Sequence, residues 1–297
     1  FAHGGKELHT FAHGGEVNSV AWNPAGTQLA TGCDDKSARV FDVGTGEALH
    51  TFAHGGAVRS VAWNPAGTQL ATGCGDNSAR VFDVGTGEAL HTFAHGGAVI
   101  SVAWNFAGTQ LATGGDESAR VFDVGTGEAL HTFAHGGWVR SVAWNPAGTQ
   151  LATGCGDNSA RVFDVGTGEA LHTFAHGGAV ISVAWNFAGT QLATGCRDKS
   201  ARVFDVGTGE ALHTFAHGGW VYSVAWNFAG TQLATGCQDK SARVFDVGTG
   251  EALHTFAHGG VVYSVAWNFA GTQHATGCRD KSARVFDVGN IGIRLCR

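Results

Sequence analysis

A 41-residue unit repeats seven times with little change, and this period constrains the fold more than any other property of the chain. The copies run 11–51, 52–92, 93–132, 133–173, 174–214, 215–255 and 256–297, the third being one residue short. A unit of this length cannot bury its apolar face alone and does so against its neighbours. The array therefore reads as a single domain, although 297 residues would otherwise suggest two. Residues 1–10 look like a repeat without its middle: Phe1-Ala2-His3-Gly4 opens like every unit, and Gly5 to Thr10 closes like Gly46 to Thr51.

Each unit holds four strand-like runs. Val17 to Trp22 is β-branched and aromatic and ends at Asn23-Pro24-Ala25-Gly26, a turn signal. Thr27 to Thr31 stops at Gly32-Cys33-Asp34-Asp35, Ser37 to Asp42 stops at Val43-Gly44-Thr45-Gly46, and Glu47 to Phe52 closes the unit. Turn residues every 8–12 positions leave no room for a helix. Four strands (a to d) joined by short turns make an antiparallel meander, and seven meanders around an axis make an all-β, seven-bladed β-propeller. Trp22 recurs at Trp63, Trp104, Trp144, Trp185, Trp226 and Trp267. Burying one such ring is worth about 4–6 kcal/mol gross, so these tryptophans are expected in the core rather than on a stacking platform.

The motif His13-Gly14-Gly15-Glu16-Val17, Val20-Ala21-Trp22-Asn23-Pro24-Ala25-Gly26, Leu29-Ala30-Thr31-Gly32, Asp35-Lys36-Ser37 and Phe41-Asp42 resembles the WD-repeat (WD40) family over the whole chain. The resemblance implies a structural polar network of His13, Thr31 and Asp35 joining the d–a loop, strand b and the b–c turn. Its equivalents are His54 and Asp76, His95 and Asp116, His135 and Asp157, His176 and Asp198, His217 and Asp239, and His258 and Asp280. In the family this network ends on the tryptophan of the Trp-Asp pair. Phe41 stands there in this chain, and Phe in every other copy, so an indole N–H is missing from each blade at about 1 kcal/mol per lost hydrogen bond.

The composition excludes several functions. A net charge of −6 gives no overall attraction to nucleic acid or anionic membrane. No apolar run approaches the roughly 20 residues of a membrane helix. Six cysteines (Cys33, Cys74, Cys155, Cys196, Cys237, Cys278) occupy one repeat position, too far apart for disulfides. They are expected as free thiols in a reducing, cytoplasmic setting, as is Cys296. A His, Asp and hydroxyl in one network suggest a triad, but a site repeated in seven blades is structural. His50 and His54 are four apart, the spacing that would ligate zinc on a helix. In a strand leading to a loop, one is expected in solvent and the other in the network. No enzyme, metal site or cofactor is expected. With no methionine, even at position 1, the chain is expected to be a fragment, a processed product or an excised piece.

What remains is where the copies differ. The variable sites are those of Glu16, Asn18, Asp34 and Lys36, with Pro24 becoming Phe106, Phe187, Phe228 and Phe269 elsewhere and His274 replacing a leucine. Strand counting puts the start of strand a and the b–c turn at one end of every blade. That end collects Trp138, Arg140, Trp220, Tyr222, Tyr263, Arg59, Arg197, Lys199, Arg279 and Lys281, the partner-binding residues this reading selects. Its eight basic residues against three acidic ones contrast with the overall charge. Trp, Tyr and Arg are enriched in interface hot spots, and basic residues steer an acidic partner. The phenylalanines replacing Pro24 fall at the opposite end and are expected to pack against neighbouring blades.

The expectation is a monomeric, non-catalytic scaffold for a protein or peptide with an acidic or aromatic-accepting surface. High identity between copies resembles the WD40 arrays at the sensor end of fungal nucleotide-oligomerisation-domain-like (NACHT–WD40) receptors of innate immunity and self/non-self recognition, which implies that this chain is a sensor. An engineered or amplified symmetric propeller without a ligand is the first alternative, and nucleic-acid binding through the basic aromatic face the second. Either residues 1–10 or the tail 290–297 can supply the last outer strand, and Leu8-His9-Thr10 favours the first.

Overall fold

The computed structural model describes residues 6–288. After β1 (Lys6–Ala12), the first complete blade is β2 (Val17–Trp22), β3 (Gln28–Cys33), β4 (Ser37–Asp42) and β5 (Ala48–Ala53), hydrogen-bonded in that order. The same pattern continues through β6 to β25, covering 58–257, and ends in β26 (Val262–Trp267), β27 (Gln273–Cys278) and β28 (Ser282–Asp287). The described residues thus form seven four-stranded antiparallel sheets, the blades of a propeller. In the last sheet β1 lies beside β28, from Lys6 opposite Asp287 to Ala12 opposite Ser282, so the first strand of the chain completes the seventh blade. The alternative closing segment, 290–297, lies outside the described residues, as does Cys296.

Strand order follows burial. Strand b is apolar and small (Leu29-Ala30-Thr31-Gly32-Cys33) and wholly buried, whereas strand d (Ala48-Leu49-His50-Thr51-Phe52-Ala53) buries only Phe52 fully and forms the rim. Strand a faces the axis, where Trp22 and its counterparts from all seven blades line one cavity. Blades join through apolar seams. Val58, Val61 and Trp63 of the second blade pack with Ala30, Ala38, Val40 and Phe52 of the first. Gly32 is required there, since a Cβ would lie 2.9 Å from Cγ1 of Val58. The ring-closing seam is built alike: a Cβ on Gly277 would lie 3.0 Å from Cγ1 of Val17. Backbone N of Val61 donates to Oγ of Ser19 at 3.1 Å, and Val20 N donates to Ser264 Oγ at 3.0 Å. Trp63 Nε1 donates to the Ala21 carbonyl at 3.1 Å, a bond that recurs at each later seam. Trp22, at the closing seam, has no such partner.

Two blades depart from the pattern. The shortened b–c turn of the third blade leaves β10 as Ser101–Trp104 and β11 as Gln110–Gly114, each shorter than its counterparts. In the seventh, His274 fills a leucine position between Trp267 and Phe256, fully buried with neither ring nitrogen hydrogen-bonded. Burial, then the charges of His258 and His254, push its pKa down to about 3.

The phenylalanines at the Pro24 position meet their expectation only in part. Phe106, Phe187, Phe228 and Phe269 are 38–62% exposed rather than buried between blades. Phe187–Phe228 and Phe228–Phe269 lie tilted by 45° with 4.1 Å between ring centroids, so rings of neighbouring blades pack on one another along the surface. Phe106, with Pro65 and Pro146 at this position of the adjoining blades, meets Phe187 edge-on at 6.2 Å.

Candidate functional site

The end of the ring formed by the d–a loops and b–c turns is built from two local irregularities. First, Val17 pairs with Cys33 and Ser19 with Gly32, which leaves Asn18 as the extra residue of a β-bulge. The same shift recurs at Arg59, Arg140, Ile181, Tyr222 and Tyr263. A bulge re-aims its side chain out of the regular alternation, and here it frees a strand residue from the sheet's packing. In the third blade the strand begins only at Ser101, and Ile100 N donates to the Gly114 carbonyl. Second, the b–c turn takes a left-handed residue at Lys36 (φ 65°), with Asn77, Asn158, Lys199, Lys240 and Lys281 at 65–69°. The turn then folds back: Asp34 N donates to the Glu16 carbonyl at 2.9 Å. The equivalent bonds join Gly75 to Ala57, Gly156 to Trp138, Arg197 to Ala179, Gln238 to Trp220 and Arg279 to Val261 at 2.9–3.0 Å. In six blades, therefore, one variable residue is hydrogen-bonded through its backbone to another.

Beneath this surface lies the constant network. His13 Nε2 is 2.9 Å from Thr31 Oγ1 and its Nδ1 2.9 Å from the Phe11 carbonyl. His54, His95, His135, His176, His217 and His258 repeat both contacts, their Nε2 to threonine distances being 2.8–2.9 Å. Burial lowers the pKa of all seven, against the raising effect of that carbonyl. Asp35 takes no bond from His13. It accepts from Gly14 N at 3.1 Å and Ser37 Oγ at 2.5 Å, and pairs with Arg39 at 2.8 Å. Burial works to raise its pKa, but the bonds from Ser37 and Arg39 outweigh this and hold it at about 2. Asp76, Asp157, Asp198, Asp239 and Asp280 pair likewise with Arg80, Arg161, Arg202, Arg243 and Arg284 at 2.6–2.8 Å.

The network is thus two linked pieces rather than one ladder. Phe41 meets the His13 ring edge-on at 5.6 Å, where an indole would have donated a hydrogen bond. Arg39 and its counterparts, which sequence reasoning passed over, neutralise the aspartate from strand c. Asp116 is the exception: in the shortened turn its carboxylate lies against Gly97 and forms no ion pair with Arg120. His50, expected in solvent, is half-buried and stacks on Phe52 at 5.8 Å.

The sequence-selected residues fall into three groups at this end. Arg59 pairs with Asp34 at 2.9 Å, beside Asn18, whose Nδ2 donates to Asp34 at 2.7 Å. Across the fourth to seventh blades runs an aromatic and basic arc. Arg140 lies 5.8 Å from the Trp138 ring, Arg197 4.5 Å from Trp220, Trp220 6.2 Å from Tyr222, and Tyr222 5.2 Å edge-on from Tyr263. Arg279 closes the arc on Glu16 of the first blade at 3.1 Å. Burial and then Glu16 push the Tyr263 phenol up to about 12, leaving it a hydrogen-bond donor at neutral pH. Lys199 and Lys281 stand apart, exposed on their turns, their carbonyls accepting from His217 and His13 of the adjoining d–a loops.

At the opposite end the axial cavity, of about 810 Å³, is lined by the core tryptophans, the Asn23-type turn residues and the phenylalanines. Its asparagines are satisfied locally: Asn23 Oδ1 accepts from Thr27 N and Gln28 N at 2.9 Å. The six described cysteines are buried free thiols. No group of three metal-ligating side chains occurs among the described residues, and no helix in them is long and apolar enough to cross a membrane.

Seven blades of four antiparallel strands, each with a buried His–Thr contact beneath its outer loops, define a β-propeller of the WD-repeat class. The profile of the WD domain, G-beta repeat, matches seven times, at 5–42, 46–83, 87–123, 127–164, 168–205, 209–246 and 250–287. The chain belongs to the WD40 family. Each match starts near strand d of one blade and ends with strand c of the next, so consecutive repeats interlock neighbouring sheets. No curated protein matches the chain. Propellers of this family generally serve as protein-interaction scaffolds and are typically non-catalytic.

Proposed function

We propose that this propeller grips a protein or peptide at the d–a/b–c end and acts as the sensing module of a larger recognition receptor. The observation that carries this reading is the coupling of variable residues. In six blades the b–c turn residue that changes between copies is hydrogen-bonded through its backbone to the variable d–a loop residue just before strand a, while the His, Thr and Arg beneath stay constant. Such a layout lets recognition residues be exchanged between near-identical units without disturbing the core. It supports the resemblance to the high-identity arrays of fungal self/non-self recognition. The partner-contacting set is Trp138, Arg140, Trp220, Tyr222 and Tyr263, flanked by Arg59, Arg197, Lys199, Arg279 and Lys281. The buried free thiols favour a reducing, cytoplasmic setting.

The test is affinity capture with the full chain and with a W138A/W220A/Y222A/Y263A variant. Loss of specific capture with an unchanged melting curve is expected. Undiminished capture by the variant contradicts the assignment.

A further inference from the structure

The arc at this end is not evenly charged. Arg59 is neutralised by Asp34, and Arg279 by Glu16. Arg140 and Arg197 pair with no carboxylate among the described residues, and the Nε of each is buried without a hydrogen-bond partner. Each guanidinium lies instead against an indole, Arg140 at Trp138 and Arg197 at Trp220. The two cations also act on each other. Burial and then Arg197 lower the pKa of Arg140, and both arginines bear on Tyr222, whose phenol burial raises. Two cations with buried, unpartnered Nε groups therefore sit on one arc, Arg140 against Trp138 and Arg197 against Trp220, whose ring also neighbours Tyr222. Desolvating an unpaired cation and setting it beside another both cost free energy; the indole faces offset part of that cost, and no carboxylate among the described residues offsets the rest.

We infer that Arg140 and Arg197 form a clasp for a carboxylate carried by a peptide, with Tyr222 as a further donor and Trp138 and Trp220 as walls for the flanking side chains. This rests on the reading of the mouth given above and names the chemistry of its ligand. Guanidinium groups suit a planar carboxylate because two N–H groups can meet its two oxygens. A local anion fits better than nucleic acid. A polyanion spanning the mouth would meet Glu16 and Asp34 on the far side, and the chain as a whole carries −6. Trp138, 46% exposed beside the clasp, is free to cover an apolar neighbour of the acidic residue.

The experiment uses the full chain and two fluorescent hexapeptide pools, with randomised flanks around a fixed Glu-Glu or Gln-Gln centre, read by anisotropy. The Glu-Glu pool should bind about tenfold or more tighter, the usual scale for hydrogen bonds to a charged group. The R140Q/R197Q variant should erase that preference, and R120Q, on strand c of the third blade, should keep it; melting curves verify folding. Equal binding of both pools, binding of neither, or tighter binding of a labelled single-stranded oligonucleotide overturns the inference. If R140Q/R197Q keeps the preference while W138A/W220A loses both pools, the clasp is wrong but the peptide-binding mouth stands. If W138A/W220A binds both pools as the unmodified chain does, the mouth reading itself fails, and the clasp with it.

Discussion

Strand β22 (Val221–Trp226) carries an aromatic residue to each end of the ring: Tyr222 to the mouth and Phe228, two residues past its end, to the opposite rim. The two ends differ in what they can recognise. The rim offers more exposed apolar surface, but only two residue types, Pro and Phe, occupy the position, and the nearby asparagines are satisfied by their own turns. The mouth offers Asn, Arg, Ile and Tyr at one position of the seven blades, two residues after a loop position that also changes and that in six blades is hydrogen-bonded to a variable b–c turn residue. Apolar area alone binds without discriminating, whereas specificity needs groups that penalise the wrong partner. On the proposed reading, regular pairing along the strands serves stability and the bulged, charged end serves recognition.

The largest effect should come from cutting the support beneath the mouth. D198A removes the acceptor for Gly177 N and Ser200 and the partner of Arg202, and should cost about 2–4 kcal/mol in chemical denaturation. R197Q, one residue away but at the mouth, should stay within about 0.5 kcal/mol. If the two lose stability equally, the separation of support from recognition fails.

A smaller effect of opposite sign is expected at His274. Replacing it with leucine, as in the other copies, removes two buried ring nitrogens without partners and should add about 1–3 kcal/mol. The pH profile should show the same group. Because His274 and the seven network histidines titrate below their ordinary value of 6.5 when folded, the unfolded chain takes up more protons below about pH 6.5. Stability is then full above that pH and falls as the solution is acidified. A second loss sets in below about pH 3.8, as aspartates held near 2 (Asp35, Asp157, Asp239, Asp280) are protonated. H274L should flatten the first slope, and an identical slope would show that His274 does not contribute. The smallest effect belongs to the rim: F187P/F228P restores the proline of other copies and should shift stability by less than about 1 kcal/mol without changing capture at the mouth.

Much of the fold was legible because the period and the turn residues are local signals. Strand parity alone put Trp220 and Asp35 toward one end and Phe228 toward the other. The rest depends on contacts that no local pattern announces. The bulge at Asn18 has no glycine to mark it, and the Arg39 ion pair depends on strand c lying beside the b–c turn. The packing of Phe228 on Phe187 and Phe269 depends on which residues the adjoining blades carry at that position. The charge inequality between Arg59 and Arg140 was equally hidden, since it depends on which adjoining blade supplies a carboxylate.

The central claim concerns which end is gripped, and β22 allows a direct measurement. A photo-crosslinking amino acid placed at position 222 in one variant and at 228 in another compares the two ends of a single strand. The account predicts a specific crosslinked partner from 222 and none from 228. A partner captured from 228 but not from 222 would contradict it.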